Sequence, residues 1–212
     1  MERFKAKELE IVEINANLAD IKLWISLKEG NEFALNKLVK KFFNPLLNYG
    51  FKFVKDEAFV KDCVQEVFIE IWKRRERLSI PNSIKAYLLS CVRKKVVREG
   101  FRQNIIKSDE EKEIQNAIIQ IDSSIEKLII EEESLFEISE KVKKALFQLP
   151  KRQYEVLYLQ YYQNLNREEI ADIMGVKAQS VSNLTQSAFK SFRENWTLMV
   201  LFLIVFNLFQ IL

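Results

Sequence analysis

The sequence contains no histidine, and this absence narrows the chemistry that the chain can perform. Histidine is the commonest general acid or base in enzymes and the commonest metal ligand in proteins. The two cysteines, Cys63 and Cys91, are far apart and form no CxxC pair, so a zinc site is equally unsupported. Both cysteines fit small buried hydrophobic residues of a reducing compartment. We therefore expect no enzyme activity, no metal site and no cofactor.

Glycine and proline are also scarce, with 4 and 3 occurrences in 212 residues. So few turn-forming residues argue against an all-β protein, which needs many tight turns. Apolar residues instead recur every three or four positions, which predicts an all-α fold. A chain of this length suits two small helical domains.

Charge is nearly balanced over the whole chain, with 33 basic and 30 acidic residues and a formal net charge of +3. Its local distribution is therefore more informative than its total. The helical patterns are interrupted at Gly30–Asn31, Asn48–Gly50 and Pro81–Asn82, and a polar, acidic stretch follows Ile106. From these changes we predict five segments: an N-terminal extension 1–20, a first helical domain 21–105, an acidic linker 106–130, a second helical domain 131–195 and an apolar tail 196–212.

A helix predicted from about Glu57 to Arg77 has two distinct faces. One face is an apolar stripe, typical of a surface buried in a core: Val60, Val64, Val67, Phe68 and Ile71. The opposite face is polar apart from one isoleucine: Asp62, Gln65, Glu66, Ile69 and Glu70. This polar face is either a solvated surface or an interface, because its acidic start and basic end also suit the helix dipole.

A short loop at 78–83 and a basic helix come next. Ser83 is suited to cap this helix, which is predicted from Ile84 to about Gln103 and holds a single acid, Glu99. Tyr87 and Phe101 are interleaved with six basic residues: Lys85, Arg93, Lys94, Lys95, Arg98 and Arg102. Cations neutralise phosphates and rings stack on bases, so the pattern suits opened DNA. A solvated basic helix with its aromatic residues in the core is an equally acceptable interpretation.

A helix-turn-helix is predicted in the second half of the chain. Asn166 and Glu169 form a capping box at the start of a short apolar helix, and Gly175 suits the left-handed turn at its end. The second helix of such a motif enters the major groove, where Asn or Gln can bind adenine through two hydrogen bonds. The candidate DNA contacts are Lys177, Gln179, Ser180, Ser182, Asn183, Gln186 and Lys190.

The two halves together resemble the extracytoplasmic-function group of bacterial alternative sigma factors. The stretches that resemble region 2 of that group are Leu27–Leu35, Asp62–Trp72 and Tyr87–Arg93. The stretches that resemble region 4 are Leu149–Leu157, Glu169–Ala171 and Gln179–Val181. The resemblance is collinear over about 24–104 and 132–195. It implies a two-domain initiation factor that binds core RNA polymerase and promoter DNA.

The resemblance also implies a role for each surface. The helix face Asp62, Gln65, Glu66, Ile69 and Glu70 would bind the coiled coil of the polymerase β′ subunit, and Tyr154, Leu157 and Tyr161 would face the β flap. The loop would capture an unstacked base of the −10 element, and the basic helix would hold the opened strand. The residues of this −10 surface are Ser79, Asn82, Ser83, Lys85, Tyr87, Arg93, Lys94 and Arg98. The helix-turn-helix would read the −35 element.

This chain departs from the group's pattern in both domains. Lys94 and Arg98 occupy positions where the group usually has Asn and often an acid, and both changes add positive charge. The recognition helix, in contrast, has no basic residue between Ala178 and Phe189. Each lost phosphate contact weakens binding. We therefore hypothesise weak −35 recognition, helped by a partner protein that delivers the complex; an anti-sigma factor is a further expected partner.

The tail 196–212 contains no charged residue. As a helix it would reach about 25 Å, short of a hydrocarbon core of about 30 Å. Membrane contact of an otherwise cytoplasmic protein, docking in a protein groove and a dispensable tail all remain open. Two rival functions also remain: a helix-turn-helix regulator that does not replace sigma, and a membrane-tethered interaction protein.

Overall fold

The computed structural model of the chain describes residues 2–103, 105, 142 and 145–211, with the side chains of those between 15 and 194. All regular elements within these residues are helical, which confirms the all-α prediction. The chain divides into two compact units, Met1–Ile106 and Lys107–Leu212. The whole of the predicted acidic linker 106–130 lies outside the described residues.

Over its described residues, 2–103 and 105, the first unit has four helices and one 3-10 turn. Three side-chain caps define where helices begin: Asn31 accepts from the amide of Ala34, Asp56 from that of Phe59, and Ser83 from that of Ala86 at 3.2 Å. The Ser83 cap confirms the prediction. The elements are α1 (Glu2–Lys28), α2 (Glu32–Gly50), α3 (Glu57–Arg74), the 3-10 turn (Arg75–Arg77) and α4 (Ile84–Arg102).

The core of the first unit contains the predicted stripe of α3. Val60, Val64 and Val67 are at most 4% exposed. They are joined by large side chains of the other helices, all below 2% exposed: Trp24, Leu27, Leu38, Leu46, Tyr49, Ile84, Leu88 and Leu89. Burial of this apolar area is the main stabilising contribution to the unit.

The predicted segment boundary at residue 20 and the predicted interruption at 48–50 both fall on helical residues. Helix α1 passes through residues 20 and 21 without a break, and Asp20 is buried and paired with Lys41 of α2 at 2.5 Å. Helix α2 ends at Gly50, so the predicted interruption at Asn48–Gly50 coincides with its last turn. Tyr49 is fully buried in the core there, and Gly50 lies against Val60, a close approach that the absence of a side chain allows.

The second unit is built around the predicted helix-turn-helix. Its elements are α5 (Lys151–Leu157), a π-helical turn (Tyr158–Tyr162), α6 (Arg167–Met174) and α7 (Ala178–Ile211). Asn166 and Glu169 form the predicted capping box, and Gly175 ends α6 with φ 66°. Ala171, Val181 and Ala188 are buried, and α6 packs against α7, which confirms the predicted motif.

Helix α7 runs for 34 residues, so the recognition helix and the tail share one backbone helix. Within the part of the chain that the structure describes, no helix is long and apolar enough to cross a membrane. The side chains of 196–212, on which the predictions of membrane contact or docking depend, lie outside the described ones.

Candidate nucleic-acid and protein interfaces

The polar face of α3 is exposed over its whole length. Asp62, Gln65, Glu66, Ile69 and Glu70 are all accessible. Ile69 is 50% exposed and is the apolar centre of this acidic face. Apolar side chains of this size surrounded by polar residues are typical of protein interfaces.

Two acids of this face are bound to a lysine of α4. Lys95 Nζ lies 2.5 Å from Glu66 Oε2 and 2.9 Å from Glu70 Oε1. The Lys95 side chain is 9% exposed, whereas the two carboxylates are about half exposed. Burial alone would lower the pKa of Lys95, but the hydrogen bonds to Glu66 and Glu70 outweigh it and the pKa is raised. The hydrogen bond from Lys95 in turn lowers the pKa of Glu70.

Lys95 is therefore a structural cation and not part of the basic DNA surface that the sequence suggests. It ties the candidate polymerase face to the candidate DNA helix. Sequence spacing did not reveal this pairing, because the partners are 25 and 29 positions apart.

The loop at 78–83 turns two backbone carbonyls inward and three side chains outward. Trp24 Nε1 donates to Ser79 O at 3.1 Å, and Lys28 Nζ donates to Leu78 O. The exposed side chains are Ser79, Ile80 and Asn82, with Ile80 49% exposed. The Ser83 hydroxyl accepts the amide of Ala86 as a helix cap, so its predicted DNA contact competes with that bond. Ile80 was missed by sequence reasoning, although an apolar residue beside proline in a short polar loop is a signal.

The basic residues of α4 differ in how exposed they are and in what they contact. Lys94 and Arg98 are exposed, Lys85 and Arg93 are partly exposed, and Arg93 lies over the ring of Phe53 at 5.7 Å. Arg98 Nε lies 3.2 Å from Glu99 Oε1, which offsets part of its charge.

The Tyr87 side chain is half-buried. Its ring meets that of Trp24 edge-on at a centroid distance of 5.3 Å, and burial raises its pKa to about 12. A cleft of about 200 Å³ lies between α3 and α4 next to this tyrosine. The residues that line it include four cations and one acid: Arg74, Lys94, Lys95, Arg98 and Glu70. A phosphate or the edge of a base would find positive charge there.

The recognition helix presents a polar exposed face. Gln179, Asn183 and Gln186 are exposed at helical spacing, with Lys177 and Lys190 exposed at either end. Gln179 Nε2 donates to Asn183 Oδ1 at 3.2 Å. Ser180 and Ser182 are half-buried and lie beside this face. The structure therefore brings together three of the predicted base-reading residues.

Of the three residues predicted to face the β flap, only Tyr161 is exposed, at 62%. Tyr154 and Leu157 are 7% and 8% exposed, since both pack into the core of the second unit. The exposed neighbours of Tyr161 are Tyr162 and Phe189, and the rings of Tyr161 and Phe189 meet edge-on at 5.9 Å. The π-helical turn shifts the register of the helix and exposes two consecutive tyrosines, which helical periodicity could not predict.

Comparison with known proteins agrees with both units. The sequence matches the family models of sigma-70 region 2 over residues 38–104 and of sigma-70 region 4 over residues 145–194. No curated protein matches it. The two matched stretches together cover more than half of the chain, which therefore belongs to the sigma-70 family, and this confirms the resemblance to sigma factors seen in the sequence. Sigma factors of this family direct transcription initiation and bind DNA through a helix-turn-helix in region 4; the rival regulator function is not favoured.

Two solved structures have a similar fold. CnrH in complex with the cytosolic domain of CnrY is 19% identical, with a TM-score of 0.56, over 83% of this chain and 96% of that one. The sigma factor RpoE from Bartonella quintana, in complex with the anti-sigma factor NepR, is 15% identical, with a TM-score of 0.54. That match covers 76% of this chain and 96% of RpoE.

Proposed function

We propose that the chain docks on core RNA polymerase through the exposed face of α3 and melts promoter DNA with the loop at 78–83 and α4. The observation that best supports these two roles is the arrangement of bonded carbonyls, exposed side chains and cations around the loop. Its backbone is bonded inward, its Ser79 and Asn82 side chains are exposed, and the exposed cations Lys94 and Arg98 line the adjacent cleft. In this proposal residues 21–105 act as region 2 and residues 131–195 as region 4, joined by the linker 106–130.

Docking would use the acidic face of α3 around Ile69. Its partner on the polymerase is the β′ coiled coil that the family resemblance implies. Because Lys95 already neutralises part of Glu66 and Glu70, Asp62, Gln65 and Ile69 would carry more of the contact. Tyr161, with Tyr162 and Phe189, would contact the β flap.

Region 4 would read the −35 element weakly. Gln179, Asn183 and Gln186 can hydrogen-bond base edges, but no basic residue lies between Ala178 and Phe189, and the predicted phosphate contacts are Lys177 and Lys190. We propose that promoter choice depends on region 2 and on a partner protein. Since the two similar structures are complexes with CnrY and with the anti-sigma factor NepR, we also propose an anti-sigma partner for this chain.

The chain would act by binding, with no catalysis of its own, and in the cytoplasm where polymerase and DNA are found. Membrane contact through 196–212 remains a separate proposal. Deletion of 196–212 followed by cell fractionation tests it, and a soluble fraction that does not change excludes the anchor.

Reconstitution with sigma-free core polymerase tests the main proposal. We expect co-elution with core and promoter-specific transcripts from the wild-type chain. Ile69→Asp should abolish both by placing a charge at the centre of the face, whereas Lys40→Ala, an exposed change on α2, should affect neither. A chain that binds promoter DNA but gives no transcript with core would instead act as a regulator.

Footprinting of the same holoenzyme tests the −35 hypothesis. We expect faint −35 protection that Gln179→Ala barely changes. Strong −35 protection that depends on the DNA sequence would contradict weak reading.

A further inference from the structure

Helix α1 holds the backbone of the loop at 78–83. Three of its side chains, spaced seven and four residues apart on one face, donate hydrogen bonds to loop carbonyls. The pairs are Asn17 Nδ2 to Asn82 O at 2.7 Å, Trp24 Nε1 to Ser79 O at 3.1 Å, and Lys28 Nζ to Leu78 O. All three donors precede residues 38–104, the stretch that matches sigma-70 region 2. The contacts therefore come from outside the stretch that the region 2 family model covers.

Trp24 makes the most consequential of these contacts. It is 1% exposed, so its indole N–H has no access to bulk water and depends on Ser79 O as its partner. The same ring packs edge-on against Tyr87 in the first turn of α4. One buried side chain thus fixes the loop relative to α4 on the side where opened DNA would lie.

We propose that α1 is a positioning element for base capture, with Trp24 and Asn17 as positioning residues of the loop. This inference rests on the proposed capture of a −10 base by that loop. Ordering a loop costs conformational entropy, and a loop already ordered during folding does not incur this cost when a base enters. With the carbonyls of residues 78, 79 and 82 bonded to α1, the Ser79 and Asn82 side chains stay outward for the base.

The test measures how strongly the holoenzyme depends on the captured base. Affinity is measured for single-stranded −10 oligonucleotides, intact and with one base removed at each position in turn. The ratio of intact to abasic affinity at the most sensitive position defines base dependence. Trp24→Phe keeps an aromatic ring but removes the donor, and Asn17→Ala removes a surface donor without touching the core. Lys41→Met is the matched control, because it breaks the pair with Asp20 that joins α1 to α2 and does not involve the loop.

We expect Trp24→Phe and Asn17→Ala each to reduce the base-dependence ratio by about three- to tenfold, the effect of one net hydrogen bond. Lys41→Met should leave the ratio unchanged, since general loosening of the unit weakens intact and abasic strands equally. Binding of core polymerase should be the same for all variants.

Three results would overturn the inference. The first is a base-dependence ratio that Asn82→Ala reduces but that neither Trp24→Phe nor Asn17→Ala changes. The loop would then capture the base without help from α1. The second is an equal drop in Lys41→Met, which would reduce the role of α1 to general stability. The third is a wild-type ratio of one at every position, which would remove the proposed capture itself and the inference with it.

Discussion

Replacement of Lys95 should cost less stability than removal of the two carboxylates that it binds. Lys95 is the buried member of the cluster, with 9% of its side chain exposed, while Glu66 and Glu70 are 56% and 48% exposed. In Lys95→Met the new side chain has a similar length, and the carboxylates of Glu66 and Glu70 become solvated. In the double variant Glu66→Gln with Glu70→Gln, a buried ammonium loses its counter-charges.

The burial of these side chains sets the expected losses in the free energy of unfolding. A buried charge that loses its partner destabilises a protein by about 3–5 kcal/mol, and we expect the double variant near the lower end, since glutamine oxygens can still accept hydrogen bonds. Lys95→Met loses two charge-assisted bonds, but each partner is about half exposed, so solvent screening leaves a net cost of about 0–1 kcal/mol. Methionine packing offsets part of that loss.

Urea unfolding of the full chain, followed by tryptophan fluorescence and circular dichroism, measures both free energies of unfolding. A Lys95→Met variant that loses as much stability as the double glutamine variant would refute the reasoning, because the carboxylates and not the ammonium would then be the costly groups. A hydrophobic control such as Lys40→Met on the surface of α2 reports the effect of the methionine itself.

The pH dependence of the same cluster has a definite sign. The pKa of Glu70 is lowered from its ordinary value of 4.5 by the hydrogen bond from Lys95. Its contribution to stability is therefore present above about pH 4.5 and is lost as the pH falls through the lowered pKa. Lys95→Met should flatten this acid limb of the stability curve, and an unchanged limb would assign it to other carboxylates.

Two glycines should respond differently to alanine. Gly50→Ala would bring a Cβ to 2.5 Å from Val60 Cγ1, so urea denaturation should show a loss of about 1–3 kcal/mol, partly recovered by Val60→Ala. Gly175→Ala meets nothing within 4 Å, and its left-handed φ of 66° alone should cost about 1–2 kcal/mol. A Gly50→Ala variant as stable as the wild type, or a Gly175→Asn variant worse than Gly175→Ala, would contradict these reasons.

Local features were predictable because they depend on residues close in sequence. The apolar stripe of α3, the Ser83 cap and the capping box of Asn166 each need only three or four neighbouring positions. The left-handed Gly175 is of the same kind, since glycine adopts a positive φ more readily than residues with a side chain. These local patterns are sufficient to predict the helix-turn-helix and the all-α fold class.

Tertiary pairings were not predictable from one sequence. The burial of Lys95 depends on how α3 and α4 cross, and basic character alone suggested a DNA contact. The buried Tyr154 and Leu157 depend on the packing of the second unit, and the same helical spacing would also fit a surface. The hydrogen bonds of Asn17 and Trp24 to the loop span 65 and 55 positions, so no local pattern could indicate them.

The two domains should contribute unequally to the salt dependence of promoter binding. On α4, Lys94 and Arg98 are exposed beside the same cleft, whereas the predicted phosphate contacts of the recognition helix, Lys177 and Lys190, lie at the two ends of its base-reading residues. Gln179 and Asn183 also bind each other, so contact with a base must first replace that bond. Each phosphate contact contributes about −0.9 to the slope of log K against log salt on duplex DNA and about −0.7 on a single strand. We therefore expect Lys94→Met with Arg98→Met to flatten the holoenzyme's slope by about one unit or more, and Lys177→Met with Lys190→Met to change it less. Filter binding over a salt series measures the slope for both double variants. A larger change in the Lys177 and Lys190 variant would mean that region 4 makes the larger electrostatic contribution to DNA binding.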